Sequence, residues 1–391
     1  MNRNDRLKIL VLSNAFPKPS APNTGFYVWN QISRLSSYFD IQVIATQPQV
    51  NGACVENADA QRVEFKGIQL YETTYKTVPK IGVFMSGQNC YQSLKKLVGK
   101  IYSNFPFQMI LCYWSYPDGY AAVRFAKEYG VPVIIRPRGS DVNLCMDNMI
   151  LRQFLGSTLK KADRVIPVSG MLRDRVKTLG VISEKLNVIP NGIDSREFYP
   201  MDKIKCRNDL KIWQNKKVIL FVGNLLEVKG IEYLLGAIKN LDENKRNDIV
   251  FYILGSGKLQ PQVENLRDTL KHVQLQLVGD VPHDKLVVWM NAADILCLSS
   301  IHEGWPNVLM ESLACGTPVV STRVGGVPEI INNESLGILV PSSDSKALSE
   351  AIEKALSTQW DKNILINRVS FESWDIVADK LRKECLSLVE N

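Results

Sequence analysis

Residues Ser299–Ile331 read SSIHEGWPNVLMESLACGTPVVSTRVGGVPEII, and this stretch decides the fold. The apolar run Ile295–Leu298 precedes it, and a second apolar run, Thr317–Ser321, lies within it. Short continuous apolar runs are typical of strands that are buried on both faces of a parallel sheet. We therefore predict a strand, a turn into a helix and a second strand. Such turns at the carboxyl ends of parallel strands are where open α/β sheets bind ligands.

A short helix is predicted between these strands. Pro306 suits a first helical position because it has no N–H group to leave unpaired there, and Gly316 is typical of the position just past a helix end. The predicted helix covers Asn307–Ala314. Glu303 then lies in the loop before the helix, and Glu311 lies on the helix, eight positions later.

The two carboxylates and the helix start together are suited to a nucleotide-sugar. Amides of the first helical turn, around Asn307 and Val308, lack intrahelical partners and favour an anion such as a diphosphate. One carboxylate would bind the hydroxyls of the sugar and the other those of the ribose. The alternative is that Glu303 and Glu311 are ordinary surface acids, which the helix dipole favours near a helix start in any case.

The chain of 391 residues predicts two domains, since it is too long for one ordinary core. Strands alternate with helices throughout, which implies parallel sheets and an α/β fold. The segment Pro190–Asp194, PNGID, interrupts this pattern and is the best linker. We expect two doubly wound, Rossmann-like domains that face a central cleft. The N-terminal domain would be residues 1–192 joined by a C-terminal helix at about 372–391, and the C-terminal domain would be residues 193–371.

Two strand ends in the N-terminal half carry candidate ligand groups. A first strand, Leu7–Leu12, leads through a loop rich in Pro and Asn to Gly25 and a helix over Phe26–Ser37. Gly25 permits a close backbone approach of the kind that phosphate loops require, although turn glycines are common. A later strand, Val131–Arg136, ends in Arg138-Gly139-Ser140-Asp141, where the crowded polar groups indicate a function.

Other elements of this half are predicted from periodicity. Ile41–Thr46 and Ile68–Tyr71 are strands separated by a polar loop. From Tyr91 to Phe105 the apolar positions keep helical spacing, and Lys95, Lys96 and Lys100 lie elsewhere on that helix. Core packing explains the apolar stripe more simply than membrane insertion does.

The C-terminal half contains three turns suited to binding an anion. They are Gly223–Gly230, Gly255–Gly257 and Gly304–Glu311, and Lys229 in the first would supply positive charge unless it is an ordinary solvated lysine. No P-loop and no dinucleotide fingerprint occurs, and no D-x-D pair is present to hold a metal ion on a diphosphate. Further predicted elements here are the strands Lys217–Val222, Ile249–Leu254, Leu275–Val278 and Gly337–Val340, and the helices Lys258–Lys271, Asp284–Ala292, Ser345–Ser357 and Trp374–Val389.

The net charge of +7 is unevenly distributed along the chain. Residues 1–200 carry 25 basic and 15 acidic side chains, whereas residues 201–391 carry 22 and 25. No acid occurs from Thr73 to Pro117, a region that contains Lys76 and Lys80 as well as the three helix lysines. Such a surface would attract an anionic membrane or a phosphate-bearing acceptor, or it is a solvated basic face without a partner. We expect no nucleic-acid partner.

The cysteines and the apolar runs indicate the compartment. Eight cysteines, among them Cys54, form no C-x-x-C pair and no metal-binding spacing, which is typical of reduced thiols in a cytosolic protein. The apolar run near the N-terminus is a strand rather than a signal peptide, and no run of about 20 apolar residues occurs. We expect a cytoplasmic protein, either free or at the inner face of the membrane.

The whole chain resembles the retaining, metal-independent GT-B glycosyltransferases of family four, also called group 1. Their composite signature stands here as Glu303–Glu311 in E-x7-E spacing, Ala314–Val320 (ACGTPVV) and Gly325–Glu329 (GGVPE). Asn191–Asp194 (NGID) resembles the family linker, and Val222–Gly230 resembles its phosphate strand. Two less specific motifs, Tyr116–Gly119 (YPDG) and Arg138–Asp141 (RGSD), resemble the teichuronic-acid-type branch.

The resemblance implies roles for the donor-binding residues. Glu311 would bind the ribose, Glu303 the sugar hydroxyls and Lys229 the diphosphate, with Gly25 close to it. Gly223, Asn224, Gly304, Asn307 and Val308 would complete the donor site. The anomeric configuration would be retained, with the leaving phosphate helping to deprotonate the acceptor.

Two positions depart from the family pattern. Asn224 stands where an arginine usually accompanies the phosphate lysine, so less charge would face the diphosphate. Arg138 stands where many members carry a histidine, and an arginine cannot act as a base near neutral pH. Asp141 or Tyr113 would orient the acceptor instead. Of the three histidines, only His302 lies near the motif in sequence, and we interpret it as structural.

The sequence thus predicts an enzyme that transfers a sugar from a nucleotide diphosphate-sugar, without a metal ion or other cofactor. The acceptor would be a lipid-linked or growing bacterial surface polysaccharide. The candidate catalytic residues are Glu303, Lys229, Asp141 and Arg138. Two alternatives remain, a nucleotide-sugar-binding protein without activity and another GT-B enzyme such as a nucleotide-sugar epimerase.

Overall fold

A computed structural model of the chain describes residues 6–18, 24–49, 60, 62–77 and 84–389. Cys54, Lys80 and part of the predicted loop before Gly25, residues 19–23, lie outside the described residues. Contacts divide the chain into two compact units. Unit 1 comprises Met1–Asn191 and Trp374–Asn391, and unit 2 comprises Gly192–Ser373.

Unit 1 is built on a seven-stranded sheet in the order β3-β4-β2-β1-β5-β6-β7. Its strands are β1 (Lys8–Ser13), β2 (Asp40–Gln49), β3 (Arg62–Phe65), β4 (Ile68–Lys76), β5 (Met109–Cys112), β6 (Val133–Ile135) and β7 (Arg164–Val165). The central strand β1 is parallel to β2 on one side and to β5 on the other. Its residues are almost all buried, which explains the continuous apolar run in the sequence.

The edge of this sheet departs from the prediction. The polar loop expected between β2 and β4 contains β3, which pairs with β4 in an antiparallel hairpin. The hairpin turns at Lys66 and Gly67, both with positive φ angles of 45° and 82°. Two-residue turns of this kind match the twist of a hairpin. The expectation of parallel strands throughout is therefore wrong for β3.

Helices cover the sheet of unit 1. They are α1 (Phe26–Leu35), α2 (Ser86–Asn104), α3 (Asp118–Tyr129), α4 (Ser140–Met146), α5 (Met149–Lys161), α6 (Gly170–Lys177) and α15 (Trp374–Ser387). No helix was predicted over α4, α5 and α6. Helix α5 has a clear start signal, because the side chain of Asn148 accepts hydrogen bonds from the N–H groups of Ile150 and Leu151.

The apolar faces of these helices form the core of unit 1. The stripe of α2 that includes Leu94, Leu97 and Val98 is buried, so the prediction of core packing for this helix is confirmed. Helix α15 buries Trp374 and Leu381 in the same hydrophobic cluster as residues of α1 and β1. The last helix of the chain therefore completes the core of unit 1.

Unit 2 has a six-stranded sheet, all parallel, in the order β10-β9-β8-β11-β12-β13. The strands are β8 (Lys217–Val222), β9 (Ile249–Leu254), β10 (Gln274–Gly279), β11 (Ile295–Leu298), β12 (Val319–Thr322) and β13 (Gly337–Val340). The helices are α7 (Lys203–Asp209), α8 (Ile231–Glu243), α9 (Gln260–Arg267), α10 (Leu286–Ala292), α11 (Asn307–Ala314), α12 (Val327–Ile330), α13 (Ser345–Ser357) and α14 (Lys362–Val369).

Helix α11 confirms the predicted span, with one correction at its start. Pro306 has an extended backbone (φ −75°, ψ 101°) and caps the helix, so it is not the first helical residue. Gly316 follows the helix with a φ angle of +74°, as expected for a glycine that ends a helix.

Both sheets reverse their strand order at one point. In unit 1 the chain leaves β1 for β2 and returns to its other side at β5, and in unit 2 it leaves β8 for β9 and returns at β11. Ligands of open α/β sheets bind at such switch points, beyond the carboxyl ends of the strands. The loops that follow β1, β5, β8 and β11 are therefore where functional groups are expected.

One of these loops carries a fully buried carboxyl group, that of Asp118 at the start of α3. Thr46 donates a hydrogen bond from Oγ1 to Asp118 Oδ1. Oδ2 is buried without a hydrogen-bond partner in the part of the chain that the structure describes. Burial raises the pKa of Asp118 to about 7, although the bond from Thr46 opposes the rise.

Asp118→Asn should remove one pH-dependent contribution to stability. Because the folded chain holds the Asp118 proton more tightly than the unfolded chain does, the contribution of Asp118 to the free energy of unfolding falls as pH rises from about 4 to about 7. A neutral asparagine removes this loss, so the variant should gain up to ~4 kcal/mol over the wild type at pH 8 relative to pH 4. Urea unfolding midpoints at a series of pH values measure the difference. Asp268→Asn, whose native side chain is 68% exposed, is the control, and an equal pH-dependent gain in both variants would contradict the assignment.

Candidate functional site

The loops after β8 and β11 are joined by two hydrogen bonds to backbone carbonyl groups. Ser299 Oγ donates to the carbonyl oxygen of Lys229 at 2.8 Å, and Ile301 N donates to the carbonyl oxygen of Val228 at 2.9 Å. Gly230 has a φ angle of +61°, and a Cβ atom on it would lie 2.1 Å from the carbonyl oxygen of Ser299. The two loops can approach this closely only because residue 230 has no side chain.

This approach brings Lys229 and Glu303 into an ion pair. Lys229 Nζ lies 2.7 Å from Glu303 Oε1, and the hydroxyl of Ser300 donates to the same oxygen at 2.7 Å. The Glu303 side chain is 9% exposed and that of Lys229 is 26% exposed. The ammonium has two further N–H donors, and Glu303 has a second oxygen. Both groups thus retain hydrogen-bonding capacity toward a ligand.

The loop after β12 packs against the backbone of Glu303 and Gly304. A Cβ atom on Gly325 would lie 1.7 Å from the carbonyl oxygen of Glu303, and Gly325 has a φ angle of +52°. Gly326 N donates to the carbonyl oxygen of Gly304 at 3.1 Å. The glycine pair of the sequence motif therefore fixes the backbone of Glu303 and Gly304.

Glu311 is the fifth residue of the eight-residue helix α11 and is 8% exposed. Its Oε1 lies 3.2 Å from Nε2 of His283. Asn307 and Val308 form the first turn of the helix, and Leu309 N donates to the carbonyl oxygen of Pro306 at 3.1 Å. The helix start and Glu311 are thus held in one rigid element, as the sequence predicted.

The glycine turns after β8 and β9 pack against each other. A Cβ atom on Gly255 would lie 2.1 Å from the carbonyl oxygen of Gly223, and one on Gly257 would lie 2.5 Å from that of Leu225. Leu225 N donates to the carbonyl oxygen of Ser256 at 2.8 Å. Asn224 between them is exposed. These glycines are explained by backbone packing, whatever else the turn binds.

The structure assigns the histidines differently from the sequence. His283 lies outside the motif that contains Glu303 and Glu311, but it is the histidine that contacts Glu311. His302, next to Glu303 in sequence, is exposed, and His272 contacts Asn247 Oδ1 at 3.1 Å. The run HDK at 283–285 carries no local signal for a contact with a residue 28 positions later.

In unit 1, Gly25 adopts a φ angle of +67° as the residue before α1. A Cβ atom there would lie 1.5 Å from the carbonyl oxygen of Ala15, in the loop after β1. Gly25 therefore allows a close backbone approach, but the group that approaches it is the backbone of Ala15. Contact with a phosphate stays a prediction.

Asp141 at the start of α4 holds the loop after β6 to the loop after β5. Its Oδ1 accepts from the N–H groups of Arg138 and Gly139, both at 2.9 Å, and its Oδ2 accepts from the N–H and hydroxyl of Ser115 at 2.7 and 2.6 Å. Asp141 is 1% exposed. Four protein donors occupy this carboxylate, which indicates that it fixes the two loops.

Arg138 belongs to a buried polar network in the same unit. Its Nη2 donates to Asn191 Oδ1 at 2.8 Å, and its guanidinium lies 4.1 Å from the ring centre of Tyr27. Gln31 donates to the same Asn191 oxygen at 3.4 Å and accepts a hydrogen bond from the Tyr113 hydroxyl at 3.0 Å. Burial lowers the pKa of Arg138, but an arginine stays charged near neutral pH. Tyr113 and Arg138 are therefore linked through Gln31 and Asn191, and whether Tyr113 or Asp141 orients an acceptor stays a prediction.

Among the described residues, no three His, Cys, Asp or Glu side chains are grouped so that they could hold a metal ion. Over the same residues, no helix is both long enough and apolar enough to cross a membrane.

Gly230→Ala should separate the two loops. The new Cβ would both strain a left-handed backbone and overlap the Ser299 carbonyl, and overpacking of this kind costs roughly 1–3 kcal/mol beyond the ~1 kcal/mol of backbone strain. Gly279→Ala is the matched control, because its φ angle is +83° but nothing lies within 4 Å of a Cβ there. Unfolding free energies from urea titration should fall more for Gly230→Ala. Equal losses would show that the close approach is not a constraint.

Two family models match the chain. The model described as "Glycosyl transferases group 1" matches residues 202–369, and the model described as "Glycosyltransferase Family 4" matches residues 60–197. The first range contains Lys229, Glu303 and Glu311, and the second contains Arg138 and Asp141.

Several relatives carry descriptions that name them as glycosyltransferases. Two uncharacterized glycosyltransferases of Methanocaldococcus jannaschii are 33% and 26% identical over 55% and 64% of this chain, and the chain spans only 57% and 66% of their lengths. The teichuronic acid biosynthesis glycosyltransferase TuaC of Bacillus subtilis is 27% identical over 365 residues, which are 89% of each chain.

Solved structures share the fold over nearly the whole chain. The sucrose-phosphate synthase of Thermosynechococcus elongatus has a TM-score of 0.79 at 20% identity, covering 98% of this chain and 100% of that one. HepE of Anabaena, solved with UDP-glucose, has a TM-score of 0.74 at 17% identity with the same coverage. The chain has the GT-B architecture of two parallel-sheet α/β domains, and it belongs to the group 1 glycosyltransferases of family four.

Proposed function

We propose that the protein transfers a sugar from a nucleotide diphosphate-sugar to a glycan or lipid-linked acceptor, with retention of the anomeric configuration and without a metal ion. The observation that carries this proposal is the placement of Lys229, Glu303 and Glu311 around the switch point of unit 2. One cation, two carboxylates and the start of α11 match the three parts of such a donor.

Each part of the donor has a group suited to it. Glu311 would accept hydrogen bonds from ribose hydroxyls, and the free oxygen of Glu303 would accept those of the sugar. The remaining donors of Lys229 and the amides of Asn307 and Val308 would meet the diphosphate. The backbone of Gly223, Asn224 and Gly304 would border the site. Charge on the leaving group is then met by the protein itself, which supports a mechanism without a metal ion.

The candidate groups of unit 1 bear on where the proton of the acceptor hydroxyl goes. Arg138 cannot accept a proton near neutral pH, and both oxygens of Asp141 are engaged by protein donors. We therefore assign the acceptor proton to the leaving phosphate. The bond from the sugar carbon to the phosphate oxygen breaks, the acceptor oxygen bonds to the same face of that carbon, and the proton moves to the phosphate. Asp141 acts as a positioning residue and Arg138 as a fixed positive charge.

The acceptor and the location are inferred from charge and from the relatives. TuaC is described as an enzyme of teichuronic acid biosynthesis, which supports a bacterial surface polysaccharide as the acceptor. Lys95, Lys96 and Lys100 project from α2 on its exposed side, while its apolar face is buried. Attraction to an anionic membrane would then be electrostatic, without insertion. The seven described cysteines are buried and unpaired, which supports a cytoplasmic location.

Glu311→Ala should weaken use of the donor about 10–150-fold, because a hydrogen bond to a charged group contributes ~1.5–3 kcal/mol. The kcat/KM for the donor and the dissociation constant of the nucleoside diphosphate measure this loss. Glu350→Ala is the control, since that side chain is 65% exposed on α13 of the same unit. Unchanged donor affinity and turnover in Glu311→Ala would refute the ribose assignment.

The product separates this function from its alternatives. Nuclear magnetic resonance of the product should show the anomeric configuration of the donor together with release of the nucleoside diphosphate. Binding without turnover, even with acceptor present, would favour an inactive nucleotide-sugar-binding protein. Isomerisation of the sugar without acceptor would favour an epimerase.

A further inference from the structure

His283 lies between two carboxylates in unit 2. Its Nε2 is 3.2 Å from Glu311 Oε1, and its Nδ1 is 3.8 Å from Glu197 Oε2. The first distance is a hydrogen bond and the second is an ion pair when the imidazole is charged. The imidazole therefore links Glu311, on α11, to a carboxylate in the segment before α7.

The ring is held in place from several sides. His283 begins a short 3-10 turn, His283–Lys285, that leads directly into α10. The ring of Phe198, which is buried, contacts it edge to face at a centroid distance of 5.2 Å. A ring fixed in this way can fix its hydrogen-bond partner in turn.

The contact determines how Glu311 can be used. A carboxylate only accepts hydrogen bonds, so Nε2 of His283 must carry the proton that it shares with Oε1. Because this bond fixes Oε1, it also fixes the direction in which the second oxygen of Glu311 points. Glu311 is 8% exposed, so its orientation depends on such neighbours more than on water.

We propose that His283 is a positioning residue for the donor, which holds one oxygen of Glu311 so that the other accepts the hydroxyls of the donor ribose. The inference rests on the proposed function, because the ribose contact of Glu311 is part of it. It also gives His283 a role in the charge of the site, since a protonated imidazole adds one positive charge beside the position of an anionic donor.

The charges around His283 favour its protonated form. Burial lowers its pKa, but the hydrogen bond to Glu311 and the negative charges of Glu311, Glu197 and Asp284 together outweigh burial, so that the pKa lies above the ordinary value of 6.5. The neighbouring Lys285 lies 3.8 Å from Asp284. As pH rises through this raised pKa, the imidazole loses its Nδ1 proton and its positive charge, while the proton on Nε2 remains and is still donated to Glu311 Oε1. Binding of an anionic donor should therefore weaken in that pH range.

The test titrates UDP and GDP into the wild-type protein and into His283→Ala, His283→Gln and His272→Gln from pH 6 to 8.5. His283→Ala should raise the dissociation constant about 10-fold at pH 6, the size of effect expected from losing a hydrogen bond to a charged group. His283→Gln keeps an N–H donor for Glu311 but has no charge. It should recover much of the affinity at pH 8.5 and lack the pH dependence of the wild type. His272→Gln should match the wild type throughout.

Comparison of variants at each pH cancels the titration of the diphosphate itself. The same variants, assayed for transfer, should show the loss in the KM of the donor rather than in kcat. Melting temperatures without ligand identify any loss that is due to misfolding, and His283→Gln then decides the matter.

The outcomes separate the two proposals. If Glu311→Ala weakens binding but both His283 variants bind as the wild type does across the pH range, the role of His283 is refuted and the donor site stands. If Glu311→Ala has no effect either, or if the wild type binds neither diphosphate, the proposed donor site fails and the role of His283 fails with it.

Discussion

The site in unit 2 depends on the ion pair between Lys229 and Glu303. Lys229 follows strand β8 and Glu303 follows strand β11, and these two strands are neighbours in the sheet. The two residues are 74 positions apart in sequence. Glu303 is nearly buried, and a buried carboxylate without a partner would be strongly destabilising. Hydrogen bonds from the Ser299 hydroxyl and the Ile301 N–H hold the two loops together, and glycines at 230 and 325 leave room for the loops to meet. The ligand groups are thus placed by the loops, and the loops are placed by the sheet.

Much of this arrangement could be predicted because unit 2 is built from parallel strands. Such strands are buried on both faces and appear in sequence as unbroken apolar runs, so β8, β9, β11 and β13 have the predicted bounds. Helix α11 was also predicted at its exact bounds, since Pro306 and Gly316 mark its two ends. Where the strands end follows from these runs, and the ends of parallel strands share one edge of the sheet.

The rest could not be predicted because it depends on contacts between distant residues. His302 stands beside Glu303 in sequence and is exposed, whereas His283 contacts Glu311 because helices α10 and α11 pack together. Strand β3 was missed for a local reason instead, because Arg62–Phe65 is largely exposed and carries little apolar signal. Asp141 was selected as a candidate for contact with an acceptor by its polar neighbourhood. That neighbourhood is itself the reason why its two oxygens are occupied.

The two units differ in how their polar groups are satisfied, and this difference bears on the chemistry. In unit 2, Lys229, Glu303 and Glu311 each form contacts within the protein that leave donors or acceptors over for a ligand. In unit 1, the carboxylate of Asp141 accepts four hydrogen bonds from the chain, and Arg138 is a permanent cation where a base would otherwise be sought. A phosphate that leaves with its negative charge is a base formed at the reacting carbon itself. These residue types in unit 1 support our proposal, in which the substrate supplies the base and the protein supplies position and charge.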